Sequence, residues 1–456
     1  MGSNVANRAS RVLATAAAVL AVLLFWVQRY HVLLLFGWQY TDEDQALLAY
    51  IVREVQAGAV KSPTFYGQSY GNWVEAAAAA LFTPDGVSPL FTLPIATQLL
   101  CWLPFGLLGY VEWRAGRQLV ASVMLWLPCL MPNRADLLYS MPRAWVPGIS
   151  LAMIGATLLR TRPLALGALM VCAVTLNSAA GVLALPVLIE AVLRERHHVR
   201  FLGRLAVGLA LGGLHPLALR LFDASHPGWA IHPSPSWAWS GVRLIEGIST
   251  PGLPLGTLLV PSVLLVVVAV VAGRLRGSAL AAWFAAVVAT LVSFGLEKVW
   301  DGRPSVFFPH ERAYLALPFV GAWLLWLSLS QLRWAVPVTR RTMVGGGVAL
   351  LLIATGLVAR ETRRPALVAA EMRQSTPSIV NPRKVSDLLR ICTVTGDLAR
   401  QQRRQWVVFR EDRAAAYACA AELYGQADTL YWRYERRQWL LARFHPDQSL
   451  WFPALP

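Results

Sequence analysis

Charge is scarce in this chain. Of its 456 residues only 14% are Asp, Glu, Lys or Arg, where a soluble protein of this size carries roughly 25%. Lysine is nearly missing, with Lys61, Lys298 and Lys384 the only ones. The deficit sits beside 56% hydrophobic residues and a mean hydropathy of +0.49. Together they exclude an ordinary soluble enzyme and imply a polytopic α-helical membrane protein. The short alternating strands of a β-barrel are absent. So are HExxH, paired CxxC, Walker-loop and Rossmann fingerprints, which removes the usual anchors for zinc-protease, zinc-ribbon, nucleoside-triphosphatase and dinucleotide chemistry. No heptad, solenoid or low-complexity repeat is present.

Cysteine is also sparse. Cys101, Cys129 and Cys172 lie in apolar runs, where packing accounts for them. Cys392 and Cys419 lie in the polar C-terminal region and are expected to pair if that region faces an oxidising compartment. The one excess is positive charge, +16 at pH 7. A nucleic-acid partner is not the expectation, because most of the basic residues fall in short loops between apolar runs, where membrane orientation demands them.

The first apolar run, from Val12, follows Arg8 and Arg11 and resumes at Val32 without a convincing cleavage site, so it reads as a retained span. Further runs lie at about 89–111, 118–133, 143–159, 164–177, 180–193, 201–222, 255–273, 278–296, 313–332 and 342–359. At ~20 residues per crossing they imply about eleven transmembrane helices. The runs at 164–177 and 180–193 are short, with "LNSAAG" (Leu176 to Gly181) between them as a turn.

Basic clusters at Arg8/Arg11, Arg114/Arg117, Arg160/Arg162, Arg194 to Arg200, Arg274/Arg276 and Arg333/Arg340/Arg341 fall at alternate loops. All six would be cytoplasmic if the N-terminus is inside, and the first loop and C-terminal region would then face outward. The transmembrane part is expected to occupy residues 1–359, with its first outer loop at 37–88. Residues 360–456 are expected to form a small extracytoplasmic α/β domain, with "QWVVF" and "TLYWRY" as strands and "AAAYACAAELYG" as a helix.

Three consecutive acids, Asp42, Glu43 and Asp44, open the first outer loop, close to where a bilayer surface would be. Thr41 with Asp44 fits a capping box, and Leu47, Leu48, Ile51, Val52 and Val55 make one helical face, as in a helix lying on the membrane. Acids also suit a helix start by roughly 0.3–1 kcal/mol each. Capping explains a helix but not three acids. The helix ends at Gly58 and is followed by "FYGQSYGNWVEAAAAALF", from Phe65 to Phe82.

This combination resembles the first outer loop of GT-C type membrane glycosyltransferases, relatives of the dolichyl-phosphate-mannose protein mannosyltransferases. That family carries an acidic pair after the first span, a juxtamembrane helix, and often YGQxY with a later Glu-Ala step. Tyr66, Gly67, Gln68 and Tyr70 match the aromatic-glycine segment, and Glu75 matches the later acid. Counting back from Gly58 puts the family's first acid on Asp44, with Gln45 as a departure. A shift of two puts the pair on Asp42 and Glu43. All three acids therefore remain catalytic candidates. The resemblance covers about 45 residues; the rest of the match is one of architecture.

The resemblance implies an inverting transfer of a sugar from a polyprenyl-phosphate donor to a lipid, glycan or protein acceptor. The leaving phosphate is already a good anion. The reaction therefore needs a base for the acceptor hydroxyl and cations for the phosphate. Partial desolvation of a loop carboxylate would raise its pKa and help it act as the base. Cations are expected from "PNRADLLYSMPRAW", where Arg134 and Arg143 flank Asp136, which the resemblance makes a candidate second acid. A further source is the segment holding Lys298, Arg303, His310 and Arg312. Tyr66, Gln68, Tyr70, Glu75, Asp136, Arg143, Arg303, His310 and Arg312 are thus the substrate-binding candidates.

Glu54 lies two turns or more from the acids and is expected to be dispensable. The tryptophans of "HPGWAIHPSPSWAWSG" suit a bilayer interface. Some relatives hold a divalent metal between outer acids and others do not, so the cofactor stays open. Two rival readings remain. A transporter or flippase would show intramembrane charges and inverted repeats, and a non-enzymatic assembly protein would keep its phenotype without the loop acids.

Overall fold

In the computed structural model the described residues are 2–60, 62–66, 71–226, 236–249, 277–300, 303–304, 310–331, 340–373, 383–403, 406–410, 412–426, 428–432 and 449–452. The chain is a helical membrane protein. Helix α1 (Gly2–Val32) runs into a π-helical turn at Leu33–Gly37. Among the described residues, Val12–Gly37, Pro89–Arg114, Val199–Ser225 and Gly277–Gly295 are long and apolar enough to cross a bilayer. Shorter apolar helices form at Gln118–Leu130, Val146–Leu158, Pro163–Leu176 and Leu315–Ser330. Helices at Gly181–Arg194 and Arg340–Thr362 take up two more of the expected runs. The run at 255–273 lies outside the described residues.

The turn expected at "LNSAAG" is present. Asn177 accepts the Ala179 amide through Oδ1 (2.8 Å) and caps a short 3-10 turn at Ser178–Ala180. Helix Pro163–Leu176 packs closely on Val199–Ser225 because glycines face the contact. A Cβ on Gly167 would stand 2.6 Å from the Leu205 carbonyl, and one on Gly208 would overlap that of Leu164. Small residues let apolar helices approach where no water drives them together.

The two ends of the bundle carry different polar networks. At one end Glu190 pairs with Arg160 (2.5 Å) and Arg194 (2.6 Å), and Trp326 donates to Glu112 (3.0 Å), which pairs with Arg117. Members of three of the expected inner basic clusters thus gather at one end. At the other end lie the first loop and the helices that follow residue 360.

Helix α2 (Glu43–Gln56) starts that loop, and short helix α3 (Val74–Ala80) follows it. Leu47, Leu48, Ile51 and Val52 are buried in one core with Phe65, Tyr66, Ala76, Ala79 and the alanines at 414–421. The face expected to lie on lipid is instead covered by protein. Its cover is the alanine-rich helix Arg413–Glu422, whose small side chains allow the two helices to approach. Helix Val385–Gln401 supports this helix, and Cys392 and Cys419 join them in a disulfide. Tyr40–Thr41 also pairs antiparallel with Arg383–Lys384.

The expected C-terminal α/β elements are present. Strand Trp406–Arg410 lies between Asp428–Trp432 and Ser449–Phe452, parallel to both, and Arg413–Glu422 crosses between the first two. The first loop and the C-terminal helices share a core, so the chain boundary at residue 360 does not divide the packing.

Candidate active site

Asp42, not Thr41, caps helix α2. Its backbone is extended, and its Oδ1 accepts the Gln45 amide (3.0 Å). The expected capping box is therefore shifted by one residue, which leaves Asp44 in the first turn with no cap to make. Asp42 Oδ2 takes a charge-assisted hydrogen bond from Arg143 Nη2, both side chains being nearly buried. The Arg143 guanidinium lies 5.2 Å from the centre of the Trp145 ring.

Glu43 is exposed and faces Arg413 at 3.4 Å. Asp412 caps the helix that begins there by accepting the Ala415 amide (3.0 Å), and it pairs with Arg383 (2.8 Å). Two capped helix starts thus meet at the acids.

Asp44 differs from its neighbours. Among the described residues it makes no hydrogen bond and no ion pair. Burial pushes its carboxyl up from 3.8 to about 7, helped by the nearby Asp42 and Glu43 charges and opposed by Arg143 and Arg413. Its surface remains partly open, so the crowding of like charge and protein around it does not close it to a ligand. A carboxylate that titrates near neutrality, with two cations close by, can accept a proton from a hydroxyl.

Glu75 is fully buried and reaches no solvent. Its Oε2 accepts the Ala144 amide (3.0 Å), one residue from Arg143. Burial pushes its carboxyl up to about 8, while the Ala144 and Val146 amides pull the other way. The Thr97 hydroxyl gives its proton to the Leu93 carbonyl (3.2 Å). Tyr66 is also buried, and its hydroxyl donates to Glu54. Glu54 in turn accepts from Tyr50 (2.6 Å) and is 1% exposed. Glu54 thus accepts from two tyrosine hydroxyls, Tyr50 one turn earlier on α2 itself and Tyr66 in the following loop, and the second bond ties the helix to that loop.

Asp136 belongs to a separate cluster. It is buried among Arg29 (2.6 Å), Arg364 (2.8 Å) and Arg360 (3.5 Å). Arg364 also pairs with Glu361 (2.5 Å) and donates to Asn133 Oδ1 (2.9 Å). Burial raises the Asp136 carboxyl, but the guanidiniums of Arg29, Arg364 and Arg360 outweigh it and hold the group below its ordinary value. Sequence reasoning missed these arginines. Arg29 follows the long first run, while Arg360 and Arg364 flank the end of the last, and no spacing rule joins them.

Arg303 lies in a short strand with Pro304, and His310 and Arg312 lie at the start of helix His310–Gln331; their side chains are outside the described structure. Gln68 and Tyr70 are outside the described residues altogether, as is His232. His226 stacks on Phe222 at 4.2 Å. Among the described residues no group of three or more His, Cys, Asp or Glu is placed to hold a metal ion. No protein-family model, curated protein or solved structure matches this chain.

Proposed function

We propose that the chain is a GT-C type membrane glycosyltransferase. It moves a sugar from a polyprenyl-phosphate donor to an acceptor hydroxyl at the outer face of a bacterial inner membrane. About eleven spans, with the N-terminus inside, put the first loop and C-terminal helices on that face. The observation that carries this reading is the placement of Asp44, a carboxyl with no hydrogen bond or ion pair among the described residues, beside the Asp42–Arg143 and Glu43–Arg413 pairs at the start of a helix that follows the first span.

The roles then separate by environment. Asp42 is committed to its cap and to Arg143, so it organises the site. Asp44 has no such commitment and takes the proton from the acceptor hydroxyl. The acceptor oxygen forms its bond to the anomeric carbon from the face opposite the phosphate. The carbon–phosphate-oxygen bond breaks with its electron pair going to the phosphate, which inverts the centre. Arg143 and Arg413 offset the charge that departs with the lipid phosphate. A base at the membrane surface suits a donor whose tail is held in the bilayer.

The test is sugar transfer by purified full-length protein from radiolabelled polyprenyl-phosphate sugars to a membrane extract. Asp44→Asn is expected to lower transfer by at least ~10²-fold with little change in melting temperature, since the residue is not the cap. Asp42→Asn keeps capping capacity but loses an ion pair, so it should lower both activity and stability. Normal transfer by a folded Asp44→Asn protein would remove the assignment.

A further inference from the structure

Ala144 holds a backbone conformation that L-residues avoid, with φ at 60°. Nothing in a residue with a methyl side chain favours that region, so its surroundings must impose it. Two groups do so from both sides of the residue. Glu75 Oε2 accepts its amide (3.0 Å), and Asn72 Nδ2 donates to its carbonyl (3.0 Å). Asn72 is itself fixed. Its Nδ2 also reaches the Leu176 carbonyl (3.2 Å), and its Oδ1 accepts the Val74 amide (3.0 Å) at the start of the helix that carries Glu75.

The residues on either side of Ala144 are Arg143, bonded to Asp42, and Trp145, whose ring stands by the same guanidinium. A left-handed residue between them turns the chain so that both side chains meet at one place. We infer that Glu75 is a positioning residue: with Asn72 it clamps Ala144 in its left-handed conformation and thereby aims Arg143 at Asp42, without touching substrate. The inference rests on the proposed reading only in giving Arg143 a catalytic purpose.

The buried setting fits this role better than ligand binding. Glu75 has no exposed surface, and its other oxygen, Oε1, has no hydrogen-bond partner among the described residues. The clamp needs one acceptor oxygen and no charge. A carboxyl held at about 8 is mostly protonated at neutral pH and still accepts through the remaining oxygen. Glutamine should therefore serve as well as glutamate.

The experiment uses the full chain in detergent and three variants: Glu75→Gln, Glu75→Ala and Glu75→Ala combined with Ala144→Gly. Two readouts are followed, hydrogen exchange of the peptide covering residues 143–147 and sugar transfer. Wild type and Glu75→Gln should show the same slow exchange and similar transfer. Glu75→Ala should exchange at least ~10-fold faster there and lose transfer about 10-fold in kcat. Adding Ala144→Gly should restore most of the transfer, because glycine adopts positive φ without a clamp. A packing role for Glu75 would not be rescued in this way.

Unchanged exchange in Glu75→Ala, or a Glu75→Gln protein as impaired as Glu75→Ala, would overturn the inference. Should Glu75→Ala not fold, the glutamine variant decides alone: wild-type protection supports the clamp, and lost protection overturns it. If wild type transfers no sugar, the proposed function fails, yet the exchange pattern still tests the clamp.

Discussion

Two buried-acid clusters lie at the same end of the molecule with opposite charge balance. Around Asp136 three guanidiniums face two carboxylates, and Arg29, Arg360 and Arg364 each touch Asp136. At the start of α2 three carboxylates face two guanidiniums, and Asp44 is left without an ion pair. The first cluster lowers its acid's pKa and the second raises one. Excess cation around one deeply buried carboxylate locks the elements together. Excess acid at a partly open helix start leaves a group able to exchange a proton near neutral pH. Under the proposed function, the Asp136 cluster serves architecture and the Asp44 cluster serves chemistry.

The largest effect should come from breaking the architectural cluster. Asp136→Ala strips two buried guanidiniums, Arg29 and Arg364, and the half-buried Arg360 of their shared partner, and loss of one member of a buried pair costs about 3–5 kcal/mol. Thermal melting and recovery of monodisperse protein should both fall sharply. A variant that melts normally would show that these arginines find other partners or water, and the contrast between the clusters would be lost.

Next comes Glu54→Gln. The amide can still accept from one tyrosine but presents donors to the other, so a cost of about 1–3 kcal/mol is expected. Melting of the Gln variant against Tyr66→Phe, which removes one of the two donors, separates the two hydrogen bonds. A silent Glu54→Gln would mean that the loop is held by its apolar contacts alone.

A smaller effect is expected from pH. Glu75 holds its proton to about 8 in the folded chain, against an ordinary value of 4.5. Between those pH values the folded state binds more protons than the unfolded, so stability declines as pH rises, and the cost is fully present only above about 8. Glu75→Gln removes that slope. The melting temperature of wild type should therefore fall relative to Glu75→Gln as pH is raised through this window. A parallel pair of curves would place the carboxyl in a wetter setting.

The smallest effect belongs to Arg413→Ala. Its contact with Glu43 is long and the acid is half exposed, so stability should change by no more than ~0.5 kcal/mol. A larger loss on melting would move Glu43 into the structural group with Asp42.

Much of the helical architecture was legible because a bilayer span writes itself as a long apolar run. Each run that falls in the described residues is a helix, and "QWVVF" and "AAAYACAAELYG" gave their strand and helix. The C-terminal helix Val385–Gln401 was not anticipated, since its apolar positions are interrupted by Ser, Asp, Arg and Thr. The partner of α2 was not legible either. An amphipathic face shows that something apolar covers it, but not whether that cover is lipid or the alanines at 414–421.

The same limit applies to the site. Asp42, Arg143 and Glu75 were named from the first loop and the "PRAW" segment, and the fold brings them together. Their roles were not visible, because a cap shifted by one residue and a left-handed alanine are backbone events. Arg29 and Arg364 were unreadable as partners of Asp136, being separated from it by more than a hundred and by 228 residues respectively.

The most direct test of the chemical assignment is the pH dependence of sugar transfer from polyprenyl-phosphate donors, measured side by side for wild type and Asp44→Asn. With Asp44 as the base, wild-type transfer should rise about 10-fold per pH unit below about 7 and level off above it. The Asn protein should be at least ~10²-fold slower and lack that rise. A folded Asp44→Asn protein that transfers sugar at the wild-type rate, with the same pH profile, would contradict the assignment of Asp44 as the base.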